Sequence, residues 1–68
     1  MKLSVNGEQH EVSEGITVAE LVERSTGDRG PRGVAVAIDA EVVPRSNWER
    51  TALREGQSVE LVSAIQGG

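Results

Sequence analysis

The residue types that usually do chemistry are few in this sequence and poorly spaced for it. His10 is the only histidine, and there is no cysteine. A single strand histidine lacks the further ligands that a zinc-type site needs. With Ser13 or Ser63 it could be imagined as a hydrolase pair, but nothing in the sequence brings those groups together and no G-x-S-x-G elbow exists. A chain of 68 residues is also too small to enclose a substrate cleft. His10 therefore reads as structural or solvated. Glu8, Glu11, Glu14, Glu20 and Glu23 are spread over turn, strand and helix and read as a solvated surface. The glycines of GDRGPRG, residues 27–33, lack phosphate-loop spacing and its lysine. Arg29 and Arg32 in that stretch suit an acidic partner or plain solubility. Trp48, the sole aromatic, could anchor an interface, but it reads better as a plug at the open end of a small core.

With no active site among the side chains, the main chain's own end becomes the candidate. The sequence closes on SAIQGG. Glycine gives up the most backbone freedom on ordering, and at about 7% usage a chance Gly-Gly ending belongs to roughly 0.5% of chains. Gly67 and Gly68 carry no side chains, so such a tail can enter a narrow channel and bring its carboxyl carbon beside a nucleotide in another protein's active site. A carboxylate is a poor electrophile, because its charge repels nucleophiles and oxide is a poor leaving group. Joining it to AMP supplies a good leaving group, and a nucleophile can then take the acyl carbon. The partner enzyme would supply ATP, Mg²⁺ and charge stabilisation. Since the chain lacks cysteine, sulfur carried in thiol-like form would sit at this terminus as a thiocarboxylate.

The elements that must present this tail are legible from patterning. Leu3 and Val5 alternate with polar neighbours, as do His10 and Val12, and Asn6-Gly7 between the two runs predicts a hairpin over residues 1–13. Thr17 and Glu20 have capping-box spacing and Ile16 and Leu21 staple spacing, so a helix begins there with Val18, Leu21 and Val22 as its apolar stripe; Gly27 is its expected stop. Residues 27–33 read as a loop. Val34 to Asp39 reads as a strand with Val34, Val36 and Ile38 on one face and Ala35 and Ala37 on the other. Glu41 to Val43 is short and stops at Pro44, which suits an edge strand. Ser46 and Glu49 repeat the capping-box spacing, predicting a brief helical turn around Trp48. After a turn at Glu55-Gly56, Ser58 to Ala64 reads as the last strand, with Val59 and Leu61 inward and Glu60 outward.

This order predicts an α+β domain over residues 1–64, a small sheet covered on one face by one helix, followed by a flexible reactive tail at 65–68. The expected core is Leu3, Val5, Val12, Val18, Leu21, Val22, Val34, Val36, Ile38, Val59 and Leu61, with Leu53 and Trp48 at its edge. Ala35, Ala37, Val62 and Ala64 make the uncovered face less polar than an open face needs to be, and so a candidate docking surface.

Size and charge narrow the function classes. A chain this short is one domain and buries only about 60% of its unfolded surface. A secreted domain of this size would usually carry disulfides, and residues 1–12, MKLSVNGEQHEV, have no apolar signal-peptide core. No apolar run approaches a membrane span. A cytoplasmic location is expected, with no membrane partner. The net charge of −4 argues against nucleic acid and suits a partner with a basic surface.

Three stretches carry a family resemblance: VNGE at residues 5–8, VAVAID followed by EVVPRSNWE over 34–49, and REGQSVELVSAIQGG over 54–68. Together they resemble the ThiS family, the sulfur carrier proteins of thiamine biosynthesis, over nearly the whole chain. The most specific parts are Val43-Pro44-Arg45-Ser46 with Trp48, and the Gly67-Gly68 end. The resemblance implies a β-grasp fold similar to ubiquitin, with first and last strands parallel in the sheet centre and Leu3 and Val5 beside Val59 and Leu61. It implies a protein cosubstrate rather than an enzyme, with no bound cofactor. An E1-like, ThiF-like adenylyltransferase would adenylate Gly68. Sulfur, ultimately from a cysteine desulfurase, would convert it to a thiocarboxylate. A ThiG-like thiazole synthase would use that sulfur, with deoxyxylulose phosphate and a glycine-derived imine, to build the thiazole ring. Gly67 would give clearance, and Gln66, Ile65 and the bare sheet face would make partner contacts.

Two positions depart from the family pattern. Asp39-Ala40 stands where members often have Asn-Gly, which predicts a less comfortable primed turn, because alanine disfavours positive φ. GDRGPRG is longer and more polar than the family leads one to expect. The competing functions are a carrier for molybdopterin or another sulfur-transfer pathway, a ubiquitin-like modifier joined to lysines, and a plain binding module. The molybdopterin synthase small subunit is usually longer and richer in aromatics, whereas this chain has no Phe or Tyr.

Overall fold

The computed structural model describes residues 1–26 and 33–63. The expected stop at Gly27, the loop through Arg32 with Arg29, and the tail from Ala64 lie outside the described residues.

The first hairpin follows its turn signal. Strands β1 (Lys2–Val5) and β2 (Glu8–Glu11) pair antiparallel around Asn6 and Gly7, whose φ angles of 52° and 84° are those of a two-residue primed turn. Such a turn needs positive φ at both positions, which glycine adopts freely and asparagine better than most residues. Helix α1 (Val18–Thr26) starts on the predicted capping box. Thr17 N–H donates to Glu20 Oε1 at 2.9 Å, and Glu20 N–H donates to Thr17 Oγ1 at 3.2 Å. Two of the helix's otherwise unpaired donors are thereby satisfied. Ile16 and Leu21 are both buried, as the staple spacing requires.

Strands β3 (Val34–Ile38) and β4 (Glu41–Val43) form the second hairpin. Its turn is also two residues long, and Asp39 and Ala40 take φ of 50° and 72°. The predicted discomfort is thus real, because Ala40 sits in the left-handed region without the glycine that would make it easy. A 3₁₀ helix, η1 (Arg45–Arg50), follows Pro44 and buries Trp48. The Ser46–Glu49 capping box predicted here does not form. Pro44 is the N-cap, no side chain caps the helix, and the first turn closes through Asn47 N–H to the Pro44 carbonyl at 2.8 Å. Ser46 therefore lies inside the helix, where its hydroxyl is not at the capping position.

Strand β5 (Ser58–Ser63) completes a five-stranded sheet in the order β2-β1-β5-β3-β4. It runs parallel to β1 and antiparallel to β3 in the middle of the sheet. The register sets Val5 beside Val59 and Ser4 beside Ser58. Leu61 therefore lies beyond the end of β1, not beside Leu3 or Val5 as expected.

One layer of helix packs on one face of the sheet. The buried core is Leu3, Val5, Val12, Ile16, Val18, Leu21, Val22, Val36, Trp48, Leu53 and Val59, with Val34, Ile38 and Leu61 partly covered. Ile16, expected only as a staple, is a core residue. Leu53 and Trp48 belong to the core and not its edge. Trp48 satisfies its ring N–H by donating to the Val43 carbonyl at 2.9 Å, which makes its burial tolerable. The helix start is tied to the segment after η1 by Val18 N–H to the Thr51 carbonyl and Leu53 N–H to the Ile16 carbonyl, at 2.9 and 2.8 Å. The helix thus stays seated over β1, β5 and β3. No helix among the described residues is long and apolar enough to cross a membrane.

Candidate functional site

The ionisable side chains that sequence reasoning set aside lie at the surface among the described residues. His10 is half exposed, with Nε2 3.8 Å from Glu8 Oε1. Glu8, Glu11, Glu14, Glu20 and Glu23 are all exposed. Among the described residues no group of three His, Asp or Glu side chains could hold a metal ion. Trp48 is buried at 4% exposure, so it belongs to the core and not to an exposed interface. Arg45 stacks near it, its guanidinium carbon 6.0 Å from the ring centroid.

The candidate site therefore consists of a strand end and a sheet face. Strand β5 is the central strand and leads directly into residues 64–68. Gly68, Gly67, Gln66, Ile65 and Ala64, the predicted reactive and contact residues of the tail, lie outside the described residues. The remaining predicted contact residues come together. Ala35 pairs directly with Val62 across β3 and β5, and Ala37 lies two residues along the same face of β3. The Ala35–Val62 pair is next to Val34–Ser63, where the β3–β5 ladder ends. The apolar face thus reaches the last described pair of β5.

Val42 extends this face and was not singled out from the sequence. It pairs with Ala37 and is 71% exposed; Val62 is 58% exposed. Two large exposed apolar side chains on one face of a small domain are the feature that needs explaining, more than any single surface valine. The signal was present in EVV. Once Val43 faces the core, period-two alternation sends Val42 to the other side, and the tight hairpin sets it against Ala37. Glu60, opposite Ala37 on β5, is exposed. Glu60 thus puts an acid at the border of the patch formed by Ala35, Ala37, Val42 and Val62.

Comparison with known proteins fits this arrangement. The ThiS family model matches residues 3–68. The chain belongs to the ThiS family. Among curated relatives, the sulfur carrier protein ThiS of Escherichia coli is 32% identical over 68 residues, covering all of both chains. A thiazole synthase of Paramagnetospirillum magneticum is 38% identical over the same 68 residues. This chain spans only 20% of the length of that synthase. Among solved structures, the crystal structure of ThiS from Geobacter metallireducens superposes with a TM-score of 0.83 at 30% identity, covering all of both chains. A solution structure of a thiamine biosynthesis protein from the same organism gives 0.81, covering 88% of that chain. The five-stranded sheet with α1 over one face is thus the β-grasp of the ThiS family, with the first and last strands parallel at its centre.

Proposed function

We propose that this chain, a sulfur carrier protein of thiamine biosynthesis, is loaded at the Gly68 carboxylate and delivers its sulfur to a thiazole synthase. The observation that carries this reading is the family match, which runs through residue 68 and so includes Gly67 and Gly68. The end-to-end match with the Escherichia coli carrier supports it.

Loading proceeds in two steps. The Gly68 carboxylate attacks the α-phosphorus of ATP in an E1-like adenylyltransferase, forming the acyl-adenylate and releasing pyrophosphate. Sulfur derived through a cysteine desulfurase then takes the acyl carbon and AMP departs; hydrosulfide gives the thiocarboxylate directly, whereas a persulfide gives an acyl disulfide that a thiol reductant cleaves to the thiocarboxylate. ATP and Mg²⁺ belong to the activating enzyme, so the carrier is a cosubstrate and holds no cofactor of its own. Gly67 leaves the approach clear. Val62, Ala35, Ala37 and Val42 dock the body while Ala64, Ile65 and Gln66 follow the tail into the partner's channel. Delivery to a thiazole synthase is supported by the relative of that name, which contains a stretch similar to this whole chain within a longer polypeptide. The location that suits these partners is the cytoplasm.

The test is carrier-dependent exchange of labelled pyrophosphate into ATP by the cognate adenylyltransferase. The full chain is expected to support exchange, and a chain lacking Gly68 is expected to fold identically by circular dichroism and support none. Equal exchange with and without Gly68 would overturn the assignment of the reactive group.

A further inference from the structure

Strand β5 outruns its parallel neighbour. The β1–β5 pairing covers Ser4–Ser58 and Val5–Val59, and Asn6 N–H donates to the Val59 carbonyl at 2.8 Å. There the chain turns into β2, with Asn6 at φ 52°. Leu61, the next β5 residue to present its backbone groups on that side, has no β1 residue opposite it. The Asn6 side chain takes that place. Leu61 N–H donates to Asn6 Oδ1 at 2.8 Å, and Asn6 Nδ2 donates to the Leu61 carbonyl at 3.2 Å. A carboxamide offers the same donor and acceptor as a peptide group. It therefore extends the β1 side of the ladder by one residue, to within two residues of Ser63, where β5 ends and the chain continues into residues 64–68.

We propose that Asn6 is a positioning residue for loading of the tail. Its carboxamide holds the last part of β5 in the sheet and so fixes the strand end that precedes residues 64–68. The inference rests on the reading of Gly68 as the loaded group. On the other side, β3 holds the same stretch through Ala35–Val62 and Val34–Ser63. Loss of the clamp therefore loosens one side of the strand end without detaching it. An enzyme that captures the tail binds the fraction of molecules whose strand end is aligned, and apparent affinity falls with that fraction. The chemistry at the acyl carbon is done by the partner's groups and stays unchanged.

Two variants separate the donor from the acceptor. Asn6→Ala removes both. Asn6→Asp keeps the size, the tolerance of positive φ and an acceptor for Leu61 N–H, but sets an oxygen against the Leu61 carbonyl. Amide exchange at Leu61 and Ser63 is followed by NMR on the full chain, with thermal unfolding as the control for folding. KM and kcat for adenylation are measured with the carrier as the varied substrate. In Asn6→Ala the Leu61 amide is expected to exchange about tenfold faster and KM to rise about three- to tenfold. kcat should stay within about twofold, since no group that touches the reacting atoms has changed. Asn6→Asp is expected to protect Leu61 better than Asn6→Ala while still raising KM.

Unchanged Leu61 exchange in Asn6→Ala would show that no clamp operates. Faster exchange with unchanged KM would reduce the clamp to a purely structural feature. Either result, obtained while the wild-type chain is loaded normally, overturns this inference alone. Failure of the wild-type chain to be adenylated overturns the loading reading and this inference with it.

Discussion

The two faces of the sheet are made from the same strands, yet they have different fates. On the helix side Leu3 and Val36 are 1% exposed and Val59 is fully buried, whereas on the other side Val42 and Val62 keep 71% and 58% of their exposure. The side chains are of one chemical kind. What differs is the position within a period of two, and the presence of α1 over one side only. The comparison teaches that the covered face holds the domain together. The open face, which holds little, is free to be used in binding. Its apolar part adjoins the end of β5, from which the proposed reactive tail departs.

The comparison is broken most forcefully by truncating the covered face. Leu3→Ala is expected to cost about 2–5 kcal/mol, a large share of the roughly 5–15 kcal/mol that stabilises a typical domain. Urea unfolding should show the midpoint falling steeply or the fold lost altogether. A small effect would mean that the helix side is not what holds the domain.

Register keeps the two faces distinct, since a slip of one residue would exchange them. The two hairpin turns set that register, and they differ in quality. Gly7 has φ 84°, and a Cβ placed there would meet nothing within 4 Å. Its glycine is needed for conformation and not for space. Ala40 has φ 72° and lacks that freedom. Exchanging the two residue types sharpens the comparison. Gly7→Ala should destabilise by about 1 kcal/mol and Ala40→Gly should stabilise by about 0.5–1 kcal/mol, the strain relieved being partly offset by the looser unfolded chain. Thermal unfolding of the two variants should shift in opposite directions. A loss of stability in Ala40→Gly would show that the turn is not strained.

The smallest stability effect belongs to the open face. Val62→Ser and Val42→Ser should stay within about 0.5 kcal/mol of the parent chain, while KM for adenylation rises for at least one of them. A substantial loss of stability in both would mean that these valines serve the fold and not a partner.

Much of this was legible in the sequence because it is local. Asn6-Gly7 announced its hairpin, Thr17 and Glu20 their capping box, and Val18, Leu21 and Val22 their stripe. The parallel pairing of β1 with β5 is a long-range feature, and only the family resemblance supplied it. Ser46 and Glu49 misled because Pro44 starts this helix two residues earlier, so that Ser46 lies inside it and cannot cap it. Ile16 was read for its staple role alone, although a staple residue buried under the helix also joins the core. The proposal of a reactive end starts from Gly67 and Gly68, since the absence of side chains is itself a sequence feature. The role of Asn6 was not readable. Its partner Leu61 lies 55 positions away, and the residue already had a sufficient reason to be there as the first residue of a primed turn.

The central claim is that sulfur rides on the carboxyl of Gly68. Intact mass spectrometry of the chain, after incubation with its cognate adenylyltransferase, ATP and a sulfur donor, tests this directly. The account predicts a mass gain equal to one oxygen replaced by one sulfur, with fragmentation assigning it to Gly68. An unmodified mass in the presence of a demonstrably active adenylyltransferase, or sulfur found at any other residue, would contradict it.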